Sequence, residues 1–359
     1  MIVEELKKRK LPDLFCIEGK QITTKDEWEN KGRPYWKSVI QNEEYGKILP
    51  LVQPEISTKI NSVNFAGKAT WEEVSFKFCY NNKQHTVPTN LIYPKNAENV
   101  PFFIYINFRS DIPDRYLPVE EIIDNGFGVF SVCHNDISTD NGDFTNGLAG
   151  LFQDGDRKEK DCGKIMYWSY MASRMMDYLQ TLPYVDKNRI GVSGHSRLGK
   201  TALLTAAFDE RFAFSCPNNS GCSGVAISRG CCDKGEKVSD ICRTFPYWFS
   251  PSYQKYANEV EKLPFDQHCL MALVAPRIVI VGGAEQDVWA DNDSQFLSCV
   301  AASKAWNLYG KDGFISPDRL PVCGDKFTDG DVGFFLRAGT HYHSREDWNT
   351  YMSAIKSKL

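Results

Sequence analysis

The 359-residue sequence predicts an α/β fold, a mostly parallel central sheet with helices on both faces in a three-layer sandwich. From about Trp71, short runs rich in β-branched and aromatic residues alternate with longer stretches at helical spacing. Several runs are almost continuously apolar, which is typical of strands buried on both faces of a parallel sheet. We therefore expect residues 71–359 to form a single catalytic domain, with residues 1–70 as an N-terminal extension packed on it.

The elements can be placed in order along the chain. A hairpin opens the sheet and six strands follow, at residues 73–80 and 86–93 for the hairpin and then 100–108, 126–132, 189–193, 212–216, 277–281 and 333–336. Helices are predicted at residues 165–179, from about 197, and at 346–359. Residues 247–268 are rich in aromatics without clean periodicity, so we expect an insertion that covers one end of the sheet.

Composition and charge exclude several classes of partner. The 46 acidic and 42 basic residues give a net charge of -4 and form no long block, so we expect no nucleic-acid partner. No apolar run approaches the ~18 residues of a membrane-spanning helix, and the first ten residues lack the apolar core of a signal peptide. We expect a monomer without membrane contact, cytoplasmic as written or secreted if a leader has been removed.

The cysteines and histidines do not form a recognisable metal motif. Of the 12 cysteines only Cys231 and Cys232 are adjacent, and there is no C-x-x-C pair. The 6 histidines include no H-E-x-x-H pair. The sequence therefore predicts mostly buried thiols, no catalytic metal and no cofactor.

The segment that carries the chemistry, residues 194–201, lies between a predicted strand and a predicted helix. Its sequence GHSRLGKT matches the G-x-x-x-x-G-K-T loop with which nucleotide hydrolases hold phosphate. It also fits the nucleophile elbow of the α/β-hydrolases, a sharp strand-to-helix turn with Ser196 at its apex. In that interpretation Gly199 replaces the usual glycine two residues past the serine. The two motifs imply different functions.

The rest of the chain favours the elbow. A phosphate loop needs a later acidic residue for magnesium and usually follows the first strand of its domain, whereas this segment follows about the fifth. A hydrolase needs serine, acid and histidine in chain order, each after a strand. Glu285 and Asp287 follow one predicted strand and His341 follows the next. The sequence therefore predicts Ser196 as nucleophile, His341 as base, and one of the two acids as its partner.

Two other histidines compete with His341. His343 lies further from the strand end, so we expect it to be a surface or supporting histidine. His195 precedes the nucleophile, so we expect its side chain to point away from the catalytic face and to pack against neighbours.

Several separate blocks resemble carbohydrate esterase family 15, the glucuronoyl esterases, and in particular its bacterial branch. The blocks are residues 192–203, 209–212, 218–224, 263–268, 275–277 and 287–291. They occur in the family's order between about residues 85 and 350. The resemblance implies an α/β-hydrolase fold, a carbohydrate ester substrate of the glucuronoxylan type and no cofactor.

The resemblance also implies roles for single residues. Arg197 would stabilise the oxyanion through its backbone N–H and its guanidinium, while Lys200 and Trp289 would contact the glucuronoyl sugar. The Gln and Glu that contact the sugar in fungal members find no convincing counterpart in residues 236–248.

The triad acid departs from the fungal pattern. Where fungal members have a glutamate, this chain has Asn219, and an amide cannot take the role of a carboxylate. We therefore expect Asp287 to be the acid, with Glu285 as the alternative.

These observations predict a serine esterase that cleaves the ester between the carboxyl group of a (4-O-methyl-)glucuronic acid and an alcohol, as in lignin–carbohydrate linkages. Within the same class, a xylan acetyl esterase needs the same triad. A nucleotide-binding protein using Lys200 and Thr201 on phosphate is the alternative from another class. A further alternative is a carbohydrate-binding relative that has lost catalytic activity.

Overall fold

The computed structural model describes residues 1–63 and 65–359, and a ten-stranded sheet organises them. The strands are β1 (Cys16–Ile17), β2 (Lys20–Gln21), β3 (Glu55–Ile60), β4 (Ala69–Tyr80), β5 (Lys83–Pro94), β6 (Val100–Asn107), β7 (Gly128–Cys133), β8 (Val185–His195), β9 (Phe214–Asn218), β10 (Ile278–Ala284), β11 (Lys326–Phe327) and β12 (Val332–Arg337). The first two form a separate antiparallel pair. The other ten lie in the order β11-β12-β10-β9-β8-β6-β7-β5-β4-β3.

The helices alternate with these strands. They are α1 (Ile2–Arg9), α2 (Lys25–Glu27), α3 (Arg33–Ile40), α4 (Val119–Asp124), α5 (His134–Ile137), α6 (Gly147–Phe152), α7 (Lys164–Leu179), α8 (Arg197–Phe208), α9 (Val238–Thr244), α10 (Gln267–Ala272), α11 (Asn292–Ala302), α12 (Lys304–Asn307) and α13 (Arg345–Lys356). Short 3₁₀ turns occupy Pro251–Tyr256, Val260–Lys262 and Val288–Ala290, and π turns occupy Trp28–Gly32 and Gln41–Tyr45. In the part of the chain that the structure describes, no helix combines the length and apolarity that crossing a bilayer requires.

The sheet is parallel where the site lies and antiparallel towards its edges. Strands β7, β6, β8, β9, β10 and β12 are parallel neighbours, whereas β3, β4 and β5 form an antiparallel meander beside β7. The predicted hairpin is confirmed with a tighter turn than expected. Asn81 and Asn82 close it with φ of 48° and 60°, the left-handed conformation that two-residue hairpin turns prefer.

Alternating residues of the central strands enter two separate hydrophobic layers. In β6, Phe102, Ile104 and Ile106 pack with residues of α7 and α8, whereas Phe103 and Tyr105 pack with residues of α4 and α13. A strand buried on both faces needs apolar residues at successive positions, which accounts for the continuous apolar runs. The predicted parallel sheet with helices on both faces is therefore confirmed.

The N-terminal segment contributes to both core and sheet. Trp28, Trp36 and Ile40 are buried in the same hydrophobic cluster as α7 and α8. Strand β3 pairs with β4 and forms the edge of the sheet, so the sheet begins before the predicted boundary at residue 70. All six residues of β3 are exposed, so the strand carries no alternating apolar pattern by which the sequence could reveal it.

Candidate active site

Ser196 occupies a strained turn between β8 and α8. Its φ of 60° and ψ of -127° are unusual for a residue with a side chain. Its backbone N–H donates to the Asn218 carbonyl at 2.8 Å. A Cβ on Gly194 would lie 2.2 Å from the Leu198 carbonyl oxygen, so only glycine permits this close turn. The segment has the geometry of a nucleophile elbow.

The base and the acid follow neighbouring parallel strands, so the sheet brings them to one edge. Asp287 follows β10 and His341 follows β12, and His341 Nδ1 lies 2.6 Å from Asp287 Oδ2. Because a carboxylate only accepts, Nδ1 carries the proton and Nε2 is left to act as a base. Glu285 is exposed and lies beside the Cys323 thiol instead. Of the two predicted acids, the structure places Asp287 against His341.

A buried arginine holds the loop that carries His341. The Arg337 guanidinium donates to the carbonyl oxygens of Ala338, at 2.8 Å, and of Tyr342. It also forms a buried ion pair with Asp347, whose carboxylate caps the first turn of α13. The base is thus anchored between β12 and α13.

His195 and His343 are both buried beside the base. The His195 ring centroid lies 4.4 Å from that of His341, so this side chain is not turned away from the catalytic face as predicted. His343 stacks on Trp348 and hydrogen-bonds the Tyr105 hydroxyl, so it is not a surface residue. Burial, reinforced by neighbouring positive charge, lowers the pKa of His195 well below its usual value and that of His343 to about 3. Both are neutral near pH 7.

Arg197 is fixed at the site by a second carboxylate. Its guanidinium pairs with Asp140 and lies over the Trp248 ring, 5.0 Å from the centroid. Asp140 also accepts a hydrogen bond from Trp248 Nε1 at 2.7 Å. Burial raises the pKa of Asp140, but His134 and Arg197 outweigh it and hold the pKa below its usual value. Since Arg197 begins α8, its backbone N–H has no partner within the helix.

Ser196 and His341 open into one cavity of about 300 Å³. The other side chains that line it include Arg197, Lys200, Asn219, Glu236, Trp248, Asp287 and Trp289. Every predicted site residue except the alternative acid Glu285 therefore lies on this cavity. The size suits a small ligand such as one sugar ring.

A family model described as glucuronyl esterase, fungi, matches residues 77–310, more than half of the chain. The chain belongs to the glucuronoyl esterase family. A glucuronoyl esterase from Solibacter usitatus has a similar structure, with a TM-score of 0.87, 31% identity and 97% of each chain covered. Members of the glucuronoyl esterase family are carboxylic ester hydrolases with an α/β-hydrolase fold, so the predicted family, fold and enzyme class are confirmed.

Two curated relatives cover most of the chain. A 4-O-methyl-glucuronoyl methylesterase from Schizophyllum commune is 30% identical over 84% of this chain and 74% of the relative. A carbohydrate esterase from an unknown prokaryotic organism is 28% identical over 97% of this chain and 89% of the relative. The glucuronoyl esterase likeness therefore extends beyond the segment that the family model matches.

Lys200 lies on the cavity, but its ammonium group is already satisfied. Its Nζ donates to Glu236 Oε2 and to the Ser220 carbonyl, each at 2.7 Å, and to the Cys222 carbonyl. An ammonium has three N–H groups, so none is left for a ligand in this arrangement. The direct sugar contact that the resemblance implies for Lys200 is thus replaced by a buried ion pair with Glu236.

The same ion pair removes the phosphate-loop alternative. A phosphate-binding lysine must extend its charge to the ligand. In this chain the Lys200 charge is neutralised by Glu236, and the Thr201 hydroxyl donates to the Arg197 carbonyl at 3.0 Å. Neither side chain is available to phosphate or to its magnesium ion.

Three site residues escaped prediction from the sequence. Glu236 and Asp140 lie in loops without periodicity, and Trp248 lies in the aromatic stretch taken as an insertion. Their roles depend on partners at least 36 positions away, and no local pattern encodes such partners.

The side-chain amide of Asn219 lines the cavity without a hydrogen-bond partner among the described residues. It is buried, and within residues 1–63 and 65–359 neither its side-chain oxygen nor its nitrogen has a hydrogen-bond partner. An orphaned buried amide is costly unless a ligand or water satisfies it. At this position of the family, the chain therefore presents a neutral donor and acceptor rather than an acid.

Proposed function

We propose that this chain hydrolyses esters between the carboxyl group of a (4-O-methyl-)glucuronic acid and an alcohol, as in lignin–carbohydrate linkages. One observation carries the proposal. Ser196 and the His341–Asp287 pair open into a cavity, one wall of which holds the buried Lys200–Glu236 pair. Such a wall suits an acyl group that is itself a polar sugar.

The reaction follows from the positions of the groups. The Ser196 hydroxyl attacks the ester carbonyl while His341 Nε2 takes its proton and Asp287 stabilises the imidazolium. The Arg197 backbone N–H and guanidinium stabilise the oxyanion of the tetrahedral intermediate. His341 then protonates the leaving alcohol, and a water that it deprotonates cleaves the acyl-enzyme to release the sugar acid.

The wall with this ion pair supplies recognition of the sugar. Because Lys200 holds one Glu236 oxygen, the carboxylate is fixed and its remaining lone pairs can accept hydrogen bonds from sugar hydroxyls. Trp289 is half exposed at the rim and offers an apolar face against which a sugar ring can lie. The Asn219 amide, whose donor and acceptor are both unpaired among the described residues, can hydrogen-bond to the bound substrate. A bare acetyl group would use none of these contacts, which favours the glucuronoyl over the acetyl ester.

The proposal is tested with three substrates and one variant. We expect kcat/KM for a methyl ester of 4-O-methylglucuronic acid to exceed that for an activated acetyl ester, with no hydrolysis of ATP. Ser196→Ala should reduce kcat/KM on both esters by at least about 10⁴-fold, with an unchanged circular dichroism spectrum. A higher kcat/KM for the acetyl ester would overturn the substrate assignment, and activity retained by the variant would overturn the mechanism.

A further inference from the structure

The adjacent cysteines Cys231 and Cys232 meet a third ligand group that is distant in sequence. Their thiols and the Asp291 carboxylate each offer one ligand atom, and these atoms all lie within 4.8 Å of one another. Among residues 1–63 and 65–359, no other group of three such side chains is placed to hold one ion. Cys232 is exposed, Cys231 is partly buried and Asp291 is buried, so an ion could enter from solvent.

The backbone around the two thiols leaves room for both of them on one side. A Cβ on Gly235 would lie 2.6 Å from Cys231 Sγ and 3.1 Å from Cys232 Sγ. Any side chain at position 235 would therefore displace at least one of the two sulfur atoms. The loop is shaped so that both thiols and the carboxylate face the same space.

The Asp291 carboxylate is held rigidly and keeps acceptor capacity. Its Oδ2 accepts from the Cys232 backbone N–H at 3.0 Å and from the Ser294 hydroxyl at 2.7 Å, while Oδ1 accepts from the Ser294 N–H at 3.1 Å. A carboxylate has about four lone-pair positions, so one remains for a further partner. Hydrogen-bonded ligand groups of this kind are oriented before a metal arrives.

We propose that Cys231, Cys232 and Asp291 form a binding site for a thiophilic divalent cation of the zinc class. Two thiolates and one carboxylate suit Zn²⁺ or Cd²⁺ and disfavour Mg²⁺ and Ca²⁺, which prefer all-oxygen sets. Binding of one ion displaces one proton from each thiol, and the fourth position is left to water. The site is separate from the triad and takes no part in ester hydrolysis.

An ion at this site would join the two loops that border the cavity. Cys231 and Cys232 lie in the loop that carries Glu236, and the Glu236 N–H donates to the Trp289 carbonyl at 2.8 Å. The hydrogen bond from the Cys231 thiol to the Glu236 carbonyl, at 3.3 Å, is exchanged for metal ligation when the thiol is deprotonated. Asp291 lies two residues beyond Trp289 in the second loop. Coordination would therefore restrain Glu236 and Trp289 together, and the bound protein should unfold at a higher temperature.

The test uses Cd²⁺ as the probe on the full chain, reduced with a phosphine that does not bind metals. We expect one Cd²⁺ per chain, seen as ultraviolet thiolate-to-cadmium absorbance, and a higher melting temperature with Cd²⁺ or Zn²⁺ but not with Mg²⁺. Cys231→Ser and Cys232→Ser should each weaken Cd²⁺ binding by at least roughly a hundredfold, and Asp291→Asn, which can still cap α11, by roughly tenfold.

The matched controls are Cys79→Ser and Cys323→Ser, which remove single exposed cysteines elsewhere. Both should bind Cd²⁺ like the parent chain. Unchanged binding in Cys231→Ser, or equal losses in the controls, would overturn the proposal. Because the readouts are absorbance and melting temperature, the result does not depend on which ester the enzyme cleaves.

Discussion

The two walls of the cavity are built in different ways. The catalytic wall, Ser196, Asp287 and His341, comes from the ends of β8, β10 and β12, so the register of the sheet sets its geometry. The sugar wall, Lys200, Glu236 and Trp289, comes from a helix, a long loop and a 3₁₀ turn joined by a buried ion pair. The ends of neighbouring strands can position the reacting atoms of the triad. The proposed recognition of the sugar depends instead on contacts between segments that are distant in sequence.

This difference can be measured with two esters. A change in the catalytic wall should lower kcat/KM for the glucuronate ester and for an activated acetyl ester by similar factors. A change in the sugar wall should affect only the glucuronate ester, because an acetyl group is too small to extend to it. The ratio of the two losses therefore assigns a residue to one wall.

The largest effect is expected for Asp287→Asn. An amide cannot hold His341 in the required tautomer or stabilise its charged form, so kcat should fall roughly 10³–10⁴-fold on both esters. Glu285→Gln is the matched control, since that exposed carboxylate does not contact His341, and it should change kcat less than twofold. A larger loss of kcat in Glu285→Gln than in Asp287→Asn would assign the triad acid to Glu285.

Asp140→Asn should have the next largest effect. Losing the charge releases the Arg197 guanidinium, which we propose stabilises the oxyanion, so kcat should fall by roughly ten- to a hundredfold on both esters, with little change in KM. Asp140→Glu keeps the charge and should recover part of the rate. A loss confined to the glucuronate ester would place Arg197 in sugar recognition instead.

The histidines behind the catalytic wall predict a loss of stability in mild acid. His195 and His343 have lowered pKa values in the folded protein, so below the unfolded value of about 6.5 the unfolded chain binds more protons. Stability should therefore fall as the pH drops below about 6.5, with His343 contributing about 2 kcal/mol of the loss at pH 5 and His195 adding to it in the same direction. Urea unfolding at pH 7 and pH 5 measures this difference. His343→Phe should reduce it by about 2 kcal/mol, and an unchanged difference would contradict the assignment.

The smallest kinetic effect is expected for Glu236→Gln. The amide can still accept from Lys200 but lacks the charge that sugar hydroxyls would meet, so KM for the glucuronate ester should rise about tenfold. The acetyl ester should be cleaved at nearly the parent rate. Equal losses on the two esters would mean that the ion pair supports the catalytic wall as well.

The catalytic wall could be predicted from the sequence because each of its residues follows a strand with a strong apolar pattern. Ser196, Asp287 and His341 occur in hydrolase order, and adjacent parallel strands bring them together. The choice between Asp287 and Glu285 needed the structure, since two acids in one loop differ only in the direction of their side chains. Strand β3 escaped prediction because an exposed edge strand leaves no periodic signal.

The sugar wall could not be predicted in the same way. Lys200 resembles a solvent-exposed helix lysine or a phosphate-binding one until Glu236, 36 positions away, is seen to neutralise it. The cysteine pair gives a similar lesson, because its third partner, Asp291, is 59 positions from Cys232. Long-range polar contacts of this kind have no local spacing, so composition and periodicity do not reveal them.

Arg337 also bears on where this fold can accept inserted residues. The loop of residues 338–344 is fixed at one end by β12 and at the other by α13, and one guanidinium bonds to carbonyl oxygens within it. Added residues there would displace His341 from Asp287. The longer loop of residues 219–237, which carries Glu236, contains no triad residue. Insertions that alter the substrate range should therefore be tolerated in that loop and excluded from residues 338–344.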